Sequence, residues 1–293
     1  MKLADLINLI RPAHWLKNLL IFIPFFFAFN FDLANIEKIV GVFIAFSLFA
    51  SSIYVINDIF DQKRDRLHPI KKLRPIAARK VGTWQAFIIF SVLLIMAFAL
   101  SVNISMPAFW IMLFYFVINL FYSLGLKSLP IIDVMIVALG FVLRVVAGAV
   151  ALSLAATHWI LLCAFFISLF LAFGKRKNEM EVLKLENKSA HRKSISEYTD
   201  SFINQMLALT AGISIFSYAL YTIDPSTVAR FGTDNLIYTT PFVVYGIFRY
   251  FHLLYNKSDG GDPVAIFFRD IPLKIDLLVW LASILIIYFI YHK

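Results

Sequence analysis

The stretch IVGVFIAFSLFASSIYVINDIFDQKRD, from Ile39 to Asp65, contains both features that decide the fold. Its first 18 residues carry no charge, and about 20 apolar residues are enough for a helix to cross the hydrocarbon core of a bilayer. Three aspartates follow within a short distance, namely Asp58, Asp61 and Asp65. The stretch therefore predicts a membrane-spanning helix that ends in a cluster of carboxylates.

The composition of the whole chain agrees with this prediction. Of its 293 residues, 61% are hydrophobic and 15% are charged, with 31 Phe and a mean hydropathy of +0.81. An ordinary soluble domain is about half apolar and about a quarter charged, so a soluble globular enzyme is excluded. Cys163 is the single cysteine, which excludes an internal disulfide, a cysteine-based zinc site and an iron–sulfur cluster.

Nine apolar runs predict nine transmembrane helices, so the expected fold class is an all-α polytopic membrane protein. The runs are Leu19–Phe31, Ile39–Ile56, Trp84–Val102, Ala108–Ser123, Ile131–Leu152, Trp159–Phe173, Phe202–Thr222, Leu236–Tyr255 and Ile275–Tyr291. The residues before the first run predict a short interfacial helix rather than a signal peptide, because they contain no clear small-residue cleavage site. The connections leave no room for a separate soluble domain, so we expect residues 1–293 to form a single transmembrane domain.

The basic residues fall almost entirely on one set of connections. The amino-terminal segment and every second connection hold 22 of the 27 Lys and Arg residues. By the positive-inside rule these segments face the cytoplasm, so the amino terminus is expected inside the cell and the carboxyl terminus outside. The same segments hold 14 of the 18 Asp and Glu residues. Topology does not require these acids, and an intracellular polar site accounts for them better.

The sharpest polar feature is the spacing of Asn57, Asp58, Asp61 and Asp65. At 100° per residue, these four positions fall within about 100° of one another on a helix. Carboxylates at this spacing repel one another unless a cation lies among them. Carboxylate and amide oxygens with room for a phosphate are typical of a Mg²⁺ site. We therefore expect Mg²⁺ at the three aspartates. The alternative is a solvated helix end whose acids are neutralised by the neighbouring Lys and Arg residues.

The motif from Asn57 to Asp65, followed by His68-Pro69 and Arg74-Pro75-Ile76-Ala77, resembles the first aspartate-rich motif of the UbiA superfamily of intramembrane prenyltransferases. The resemblance implies a UbiA-like bundle of nine helices, in which this motif binds Mg²⁺ and a diphosphate. Members that act on aromatic acceptors usually have a second aspartate-rich motif after the sixth span. Here that place reads Gly174-Lys175-Arg176-Lys177-Asn178-Glu179, which is a basic cluster where acids were expected.

The basic cluster instead resembles the phosphoribosyltransferase branch of that superfamily, typified by decaprenyl-phosphate phosphoribosyltransferase. Other stretches that resemble this branch are Ser194 with Tyr198 and Thr199, Tyr122 to Lys127 with Asp133 close behind, Leu143-Arg144 with Gly148, and Phe268-Arg269-Asp270. The resemblance implies a membrane glycosyltransferase for cell-envelope precursor synthesis. Such an enzyme moves 5-phosphoribosyl from 5-phosphoribosyl 1-diphosphate to a decaprenyl-type polyprenyl phosphate and releases diphosphate.

A donor with a diphosphate at one end and a monophosphate at the other needs a metal-binding pole and a basic pole. Asp58, Asp61 and Asp65 are the candidate catalytic residues and Mg²⁺ ligands. The candidate substrate-binding residues are Asn57, Lys71, Arg74, Tyr122, Lys127, Arg144, Lys175, Arg176 and Tyr198. The expected partners are the two substrates and the lipid bilayer, with the active site on the cytoplasmic side of the cell membrane. Nothing suggests a nucleic acid, and assembly into homo-oligomers stays open.

Two arginines lie inside predicted spans, and each leaves two interpretations open. Arg144 lies about 13 residues into the fifth span, on the order of 20 Å deep. It serves either the functional site or a structural pair with Asn119 or a backbone carbonyl. Arg249 lies nearer the cytoplasmic end of its span, where it either extends to the interface or pairs with a phosphate.

Two alternatives to phosphoribosyl transfer remain at this point. The first is a prenyltransferase that moves a prenyl group from a prenyl diphosphate to an aromatic acceptor, and it rests on the first motif alone. The second is a non-catalytic carrier of anionic lipids. Loss of turnover in Asp61→Asn with retained lipid binding separates either enzyme from the carrier.

Overall fold

The computed structural model describes residues 2–29, 31–67, 71–186, 197–256, 266 and 269–291. Its regular structure in these ranges is entirely helical. The chain divides into two compact units, Met1–Ala156 and Thr157–Lys293, and each is described by itself below. The expected all-α class is confirmed.

The first unit contains seven α-helices in its described residues. They are α1 Leu3–Ile10, α2 Ile23–Ala28, α3 Leu33–Phe60, α4 Gln62–Leu67, α5 Thr83–Ile104, α6 Met106–Leu124 and α7 Ile132–Ala151. Three 3₁₀ segments join them, at Pro12–Phe22, Lys71–Leu73 and Leu126–Ser128. Helix α1 has the expected position of the amino-terminal interfacial helix, with Leu3 and Ile7 exposed on its apolar side.

Helix α3 is the centre of the first unit. The Asp32 carboxylate caps its amino terminus by accepting a hydrogen bond from the backbone N–H of Asn35 at 2.7 Å, which satisfies one of the free N–H groups of the first turn. Over its most apolar window α3 is 67% buried, whereas α5 is 17% buried. Phe46 and Phe49 are fully buried and pack against Tyr115 and Phe98 respectively. The helix that ends in the aspartates is therefore fixed on most of its sides by protein.

The 3₁₀ segment Pro12–Phe22 packs very closely against α7. A Cβ atom built on Gly148 would lie 2.0 Å from the backbone oxygen of Ile21, a distance that no side chain tolerates. Only glycine therefore fits at this crossing. The close approach brings Asn18 of the segment next to Arg144 of α7, and the two side chains are hydrogen-bonded.

The described residues of the second unit form five further α-helices. They are α8 His158–Glu186, α9 Asp200–Ile223, α10 Pro225–Phe231, α11 Thr240–Asn256 and α12 Ile271–Tyr291, with a 3₁₀ turn at Asn235–Thr239. The Thr199 hydroxyl caps α9 by accepting from the backbone N–H of Phe202, and Asp224 caps α10. Helix α8 continues past its apolar part through the whole basic cluster after Phe173.

Seven helices in the described ranges, rather than the expected nine, are long and apolar enough to cross a membrane: α3, α5, α6, α7, the part of α8 up to Glu181, α9 and α12. The first expected span is a shorter apolar element, Pro12–Ala28, in which a 3₁₀ segment precedes a short α-helix. The eighth expected span corresponds to α11, which has 17 residues. Counting apolar runs therefore overestimated the number of full-length spanning helices, because two of the nine runs form shorter or partly 3₁₀ elements.

Candidate functional site

The aspartate motif lies where α3 ends, and the predicted single helical face is almost continuous. Helix α3 stops at Phe60, Asp61 occupies a turn, and α4 begins at Gln62. The backbone still donates from Asp61 to Asn57 at 2.9 Å and from Asp65 to Asp61 at 2.8 Å, which is the helical i to i−4 pattern. The interruption therefore bends the chain without losing the spacing of the four polar side chains.

Asp58 is buried and lies between two arginines. Its side chain is 2% exposed. Arg11 Nη2 donates to both Asp58 carboxylate oxygens, at 2.6 and 2.5 Å, and Arg74 Nη1 donates to Oδ1 at 3.1 Å. Charge-assisted hydrogen bonds of this kind are among the strong ones in proteins. The buried carboxylate therefore has two guanidinium groups as its partners.

Asp61 and Asp65 have basic partners of their own. Lys127 Nζ lies 2.7 and 2.6 Å from the two oxygens of Asp61 and 3.0 Å from Asn57 Oδ1. Arg74 Nη1, which also contacts Asp58, donates to Asp65 Oδ2 at 2.7 Å. Lys127 comes from the 3₁₀ turn after α6 and is buried. Three separate parts of the first unit therefore converge on one set of oxygens.

The backbone of Arg11 has an unusual conformation that the surrounding structure must enforce. Arg11 caps α1 in the left-handed region, with φ 56° and ψ 57°, which is uncommon for a residue other than glycine. Pro12 follows directly and starts the 3₁₀ segment. The guanidinium also lies 5.3 Å from the centroid of the Tyr54 ring. Such conformations persist where the surrounding structure enforces them, and they concentrate at functional sites.

The donor set of this cluster fits Mg²⁺ by its chemistry, because three carboxylates and one amide oxygen are hard oxygen ligands. Its arrangement here is that of an ion-pair network, since basic side chains contact each carboxylate. Within the described ranges, no group of three or more His, Cys, Asp and Glu side chains is placed to hold a metal ion. A cation that enters must therefore take carboxylate oxygens from Arg11, Arg74 or Lys127.

The basic cluster after the sixth predicted span belongs to the second unit. Lys175 is exposed, whereas Arg176 is buried and forms an ion pair with Glu179, one turn further along α8. Lys177 is buried and donates to Asn204 Oδ1 of α9 at 2.8 Å. The three neighbouring basic residues therefore have three different environments.

Comparison with known proteins decides the family. The sequence profile of the UbiA prenyltransferase family matches residues 18–271, which is most of the chain. The chain belongs to the UbiA prenyltransferase family. The expected family membership is therefore confirmed, and the protein is an all-helical polytopic membrane protein with a UbiA-like fold.

Two relatives of this UbiA-family protein have the same assigned activity. A decaprenyl-phosphate phosphoribosyltransferase from Mycolicibacterium smegmatis is 32% identical over 96% of this chain and 91% of its own. One from Corynebacterium glutamicum is 34% identical over 98% of this chain and 88% of its own. Among solved structures, a UbiA homologue from Archaeoglobus fulgidus bound to GPP and Mg²⁺ gives a TM-score of 0.73, with 20% identity over 97% of this chain and 99% of its own. At that identity the structural likeness shows the fold.

The structure brings together five of the residues that the sequence predicts for the site of this UbiA-family protein: Asn57, Asp58, Asp61, Arg74 and Lys127, with Asp65 joined to them through Arg74. Lys71 lies in the 3₁₀ turn just before Arg74 and is partly buried. Tyr122 lies near the end of α6, and Tyr198 lies in the second unit with its ring stacked on Phe202. His68, Pro69, Ser194 and Phe268 of the quoted motifs fall outside the described residues.

The two arginines with open interpretations both have protein partners. Arg144 donates to Asn18 Oδ1 at 2.7 Å, to the Gly140 carbonyl at 2.6 Å and to the Tyr115 hydroxyl at 3.0 Å. This favours the structural interpretation, with a backbone carbonyl as expected but Asn18 in place of Asn119. Arg249 forms an ion pair with Asp270 at 2.9 Å, a partner that the sequence interpretation did not include.

Sequence reasoning did not select Arg11 or Lys177 as individual candidate residues. It counted Arg11 only as a topology signal, because basic residues beside apolar runs are common in membrane proteins, and Lys177 only as one member of the basic cluster after the sixth predicted span. For Arg11, the break between an amphipathic helix and Pro12 was the available signal. For Lys177 no signal distinguished it from its two neighbours, because burial on one face of α8 depends on how α9 and α11 pack.

Proposed function

We propose that this protein transfers the 5-phosphoribosyl group of 5-phosphoribosyl 1-diphosphate to a polyprenyl phosphate and releases diphosphate. The observation that carries the proposal is the match to two decaprenyl-phosphate phosphoribosyltransferases over nearly the whole chain. The basic sequence from Lys175 to Lys177, at a place where the prenyltransferases with aromatic acceptors have acids, supports the same branch.

The aspartate cluster is the proposed site for the diphosphate. Asp58, Asp61 and Asp65 would hold Mg²⁺, with Asn57 orienting a carboxylate or the ribose hydroxyls. The ion would neutralise the charge that grows on the leaving diphosphate. Arg11, Arg74 and Lys127 already lie against these carboxylates. With Mg²⁺ held by the aspartates, the N–H groups of Arg11, Arg74 and Lys127 would be available to donate to diphosphate oxygens.

The reaction exchanges one bond at the anomeric carbon for another. The bond from C1 of the ribose to the diphosphate oxygen breaks, and a phosphate oxygen of the lipid forms the new bond to C1. The lipid phosphate is already ionised near neutral pH, so the chain does not need a strong general base. Its residues act by positioning two anions and by screening their repulsion.

Other basic and aromatic residues are proposed contacts of the substrate phosphates. In the first unit these are Lys71 and Tyr122, near Arg74 and Lys127 along the chain. In the second unit they are Lys175, Arg176 and Tyr198. We place the reaction at the cytoplasmic face of the cell membrane, because the connections that carry these residues hold most of the Lys and Arg of the chain.

An open apolar depression beside the aspartate cluster supports entry of a lipid from the bilayer. It has a volume of about 350 Å³, and its lining residues are Pro12, Ala13, Trp15, Leu16, Leu19 and Phe43. The first of these directly follows Arg11, which binds Asp58. An isoprenoid chain lying along this segment would present its phosphate to the basic residues of the cluster.

The proposal is tested with full-length protein purified in detergent. The protein is incubated with labelled phosphoribosyl diphosphate, Mg²⁺ and polyprenyl phosphates of several chain lengths, and the lipid fraction is extracted. We expect label in the lipid only when acceptor and Mg²⁺ are both present, with one diphosphate released per lipid labelled.

Three results would overturn this function. The absence of labelled lipid with every chain length rejects phosphoribosyl transfer. Consumption of a labelled prenyl diphosphate in a parallel reaction with an aromatic acceptor assigns the protein to prenyl transfer instead. Binding of anionic lipids without turnover of either donor supports the carrier.

A further inference from the structure

Lys177 is a buried ammonium group that contacts no carboxylate within the described ranges. It is 8% exposed, and its Nζ donates to Asn204 Oδ1 at 2.8 Å. The same Nζ lies 3.3 Å from the centroid of the Tyr255 ring. Both partners are neutral. A buried charge is costly unless an opposite charge or several hydrogen bonds compensate it, so this group lacks a partner that a bound anion would supply.

The hydrogen-bond groups around Lys177 are mostly donors. An ammonium group has three N–H donors, and Asn204 Oδ1 accepts from one of them and also from the Tyr255 hydroxyl at 2.9 Å. The Asn204 amide N–H₂ forms no hydrogen bond to a side chain or backbone group in the part of the chain that the structure describes. The cluster therefore offers several donors around one acceptor that is already used twice. A ligand rich in acceptor oxygens matches this set.

The helices of the second unit create this cluster by a close approach at Gly174. A Cβ atom built on Gly174 would lie 2.6 Å from the Tyr250 hydroxyl, so the glycine leaves room for the Tyr250 side chain of α11 against α8. Tyr255 lies further along α11, and Lys177 lies three residues after Gly174 on a neighbouring part of the α8 surface. Tyr255 is exposed, so the cluster is reachable from outside the protein.

The other buried basic side chains of the described residues are Lys127, Arg144 and Arg176, and none of them has this property. Lys127 forms an ion pair with Asp61. Arg144 uses three of its nitrogen atoms on three acceptors and lies among the rings of Phe46, Tyr115 and Phe141. Arg176 has an acidic partner in Glu179. Lys177 combines burial with unused donors and a route to the surface.

We propose that Lys177 and the Asn204 amide, next to the Tyr255 ring, form a binding site for a phosphate monoester. The identity of its source rests on the proposed function, which supplies two candidates: the 5-phosphate of the phosphoribosyl donor and the phosphate of the lipid acceptor. Both present oxygens that accept from an ammonium and an amide. This assigns the role expected for Lys175 to the residue two positions further along α8.

Binding is measured by calorimetry on the full-length protein in detergent, without Mg²⁺, so that turnover plays no part. The probes are ribose 5-phosphate for the donor and geranyl phosphate for the acceptor, with ribose and geraniol as uncharged controls. We expect the unmodified protein to bind one phosphate probe and neither control. Lys177→Met should weaken that binding at least about tenfold, and Lys177→Arg should restore part of it.

Matched variants separate this site from the general charge of the protein. Lys38→Met removes an exposed charge at the start of α3 and should leave binding unchanged. Asn204→Leu keeps the lysine and removes the amide donors, so it should weaken binding severalfold. If Lys177→Met does not fold, the test is made with Asn204→Leu. The site would be overturned if the unmodified protein, Lys177→Met and Asn204→Leu bound the probe equally well. It would also be overturned if the unmodified protein bound neither phosphate probe.

The same measurements separate this site from the proposed function. Labelled lipid formation with undiminished probe binding in Lys177→Met leaves the transfer reaction intact and rejects the site. Probe binding that depends on Lys177, in a protein that labels no lipid, retains the site and rejects phosphoribosyl transfer.

Discussion

The aspartate cluster of the first unit and the cluster of Lys177, Asn204 and Tyr255 in the second unit differ in how their buried charges are neutralised. In the first, three carboxylates are neutralised inside the protein by Arg11, Arg74 and Lys127. In the second, the partners of the Lys177 charge among the described residues are an amide oxygen and an aromatic ring. A ligand must therefore displace an internal partner at the first cluster, whereas it adds a missing partner at the second.

This difference has a consequence for binding energy. Truncating one member of a desolvated ion pair leaves the other member buried without compensation, and such changes typically cost several kcal/mol. A cation that binds the aspartates gains carboxylate contacts while the displaced basic groups lose them, so the net gain depends on new phosphate partners for those groups. We therefore expect metal and diphosphate to bind the first cluster cooperatively. An anion at Lys177 needs no such exchange.

The largest effect is expected for Asp61→Asn, which keeps the shape of the side chain and removes its charge. Loss of a charge that stabilises a leaving group typically lowers turnover by about 100-fold or more. The measurement is the initial rate of lipid labelling. Glu37→Gln makes the same chemical change at an exposed position near the other end of α3, and its rate should match that of the unmodified protein. A loss of similar size in both variants would contradict a specific role for Asp61.

Arg144→Met tests whether Arg144 of the first unit has a structural role. Like Lys177, Arg144 is buried and has no carboxylate partner among the described residues. The change leaves the Asn18 amide oxygen and the Tyr115 hydroxyl without their donor, so the free energy of unfolding should fall by about 3 kcal/mol. The melting temperature in detergent reports this loss. Retained stability combined with weaker binding of phosphoribosyl diphosphate would restore the alternative in which Arg144 serves the substrate.

Arg11→Met tests the exchange of cations at the aspartates. Without Mg²⁺ the variant should lose about 2 kcal/mol of stability, because Asp58 loses a charge-assisted pair. With Mg²⁺ it should regain more stability than the unmodified protein gains, because one competing cation is absent. The measurement is a Mg²⁺ titration of the melting temperature, with Arg11→Lys as the variant that retains the charge. Equal stabilisation by Mg²⁺ in all three proteins would mean that Arg11 and the metal do not compete.

The smallest effect is expected at Asp224, which lies in neither cluster and measures an ordinary helix cap. Hydrogen bonds from the Ser226 side chain hold the pKa of Asp224 below its usual value of 3.8, with backbone N–H groups contributing. A lowered folded pKa means that the stabilisation is complete above pH 3.8 and is lost as the pH falls through the folded pKa. Asp224→Ala should therefore be slightly less stable at pH 7, and this difference should shrink as the pH falls through the folded pKa. A difference that does not change with pH would indicate lost packing instead of a charge effect.

The sequence predicted the helices well where apolar runs were long and uniform. The runs Trp84–Val102 and Ala108–Ser123 correspond to α5 and α6 within a few residues. Prediction failed at Pro12–Ala28, because a run of apolar residues does not reveal that its first half adopts 3₁₀ geometry against α7. That geometry depends on Gly148, which is far away in the sequence.

The acids of the candidate site were predictable, whereas their pairing with particular basic residues was not. Asp58, Asp61 and Asp65 follow from spacing along one helix, which is a local property. Lys127 was selected because it lies beside an apolar run, and Arg74 because it lies in the quoted motif, but their pairing with particular oxygens depends on contacts between separate elements. Arg11 was not selected at all, since its carboxylate partner is 47 positions away in the chain.

The sequence by itself determined that this chain is a membrane protein, that it is helical, which family it belongs to, and that acids line one face at the end of α3. Each of these properties depends on composition or on residues that are close together in the chain, so the sequence alone contains the information that is needed. The tertiary structure alone decided which charges are neutralised and which buried charge lacks an acidic partner in the described ranges. Ion pairing and burial depend on distances between residues that are remote in sequence, and only the packing of helices sets those distances.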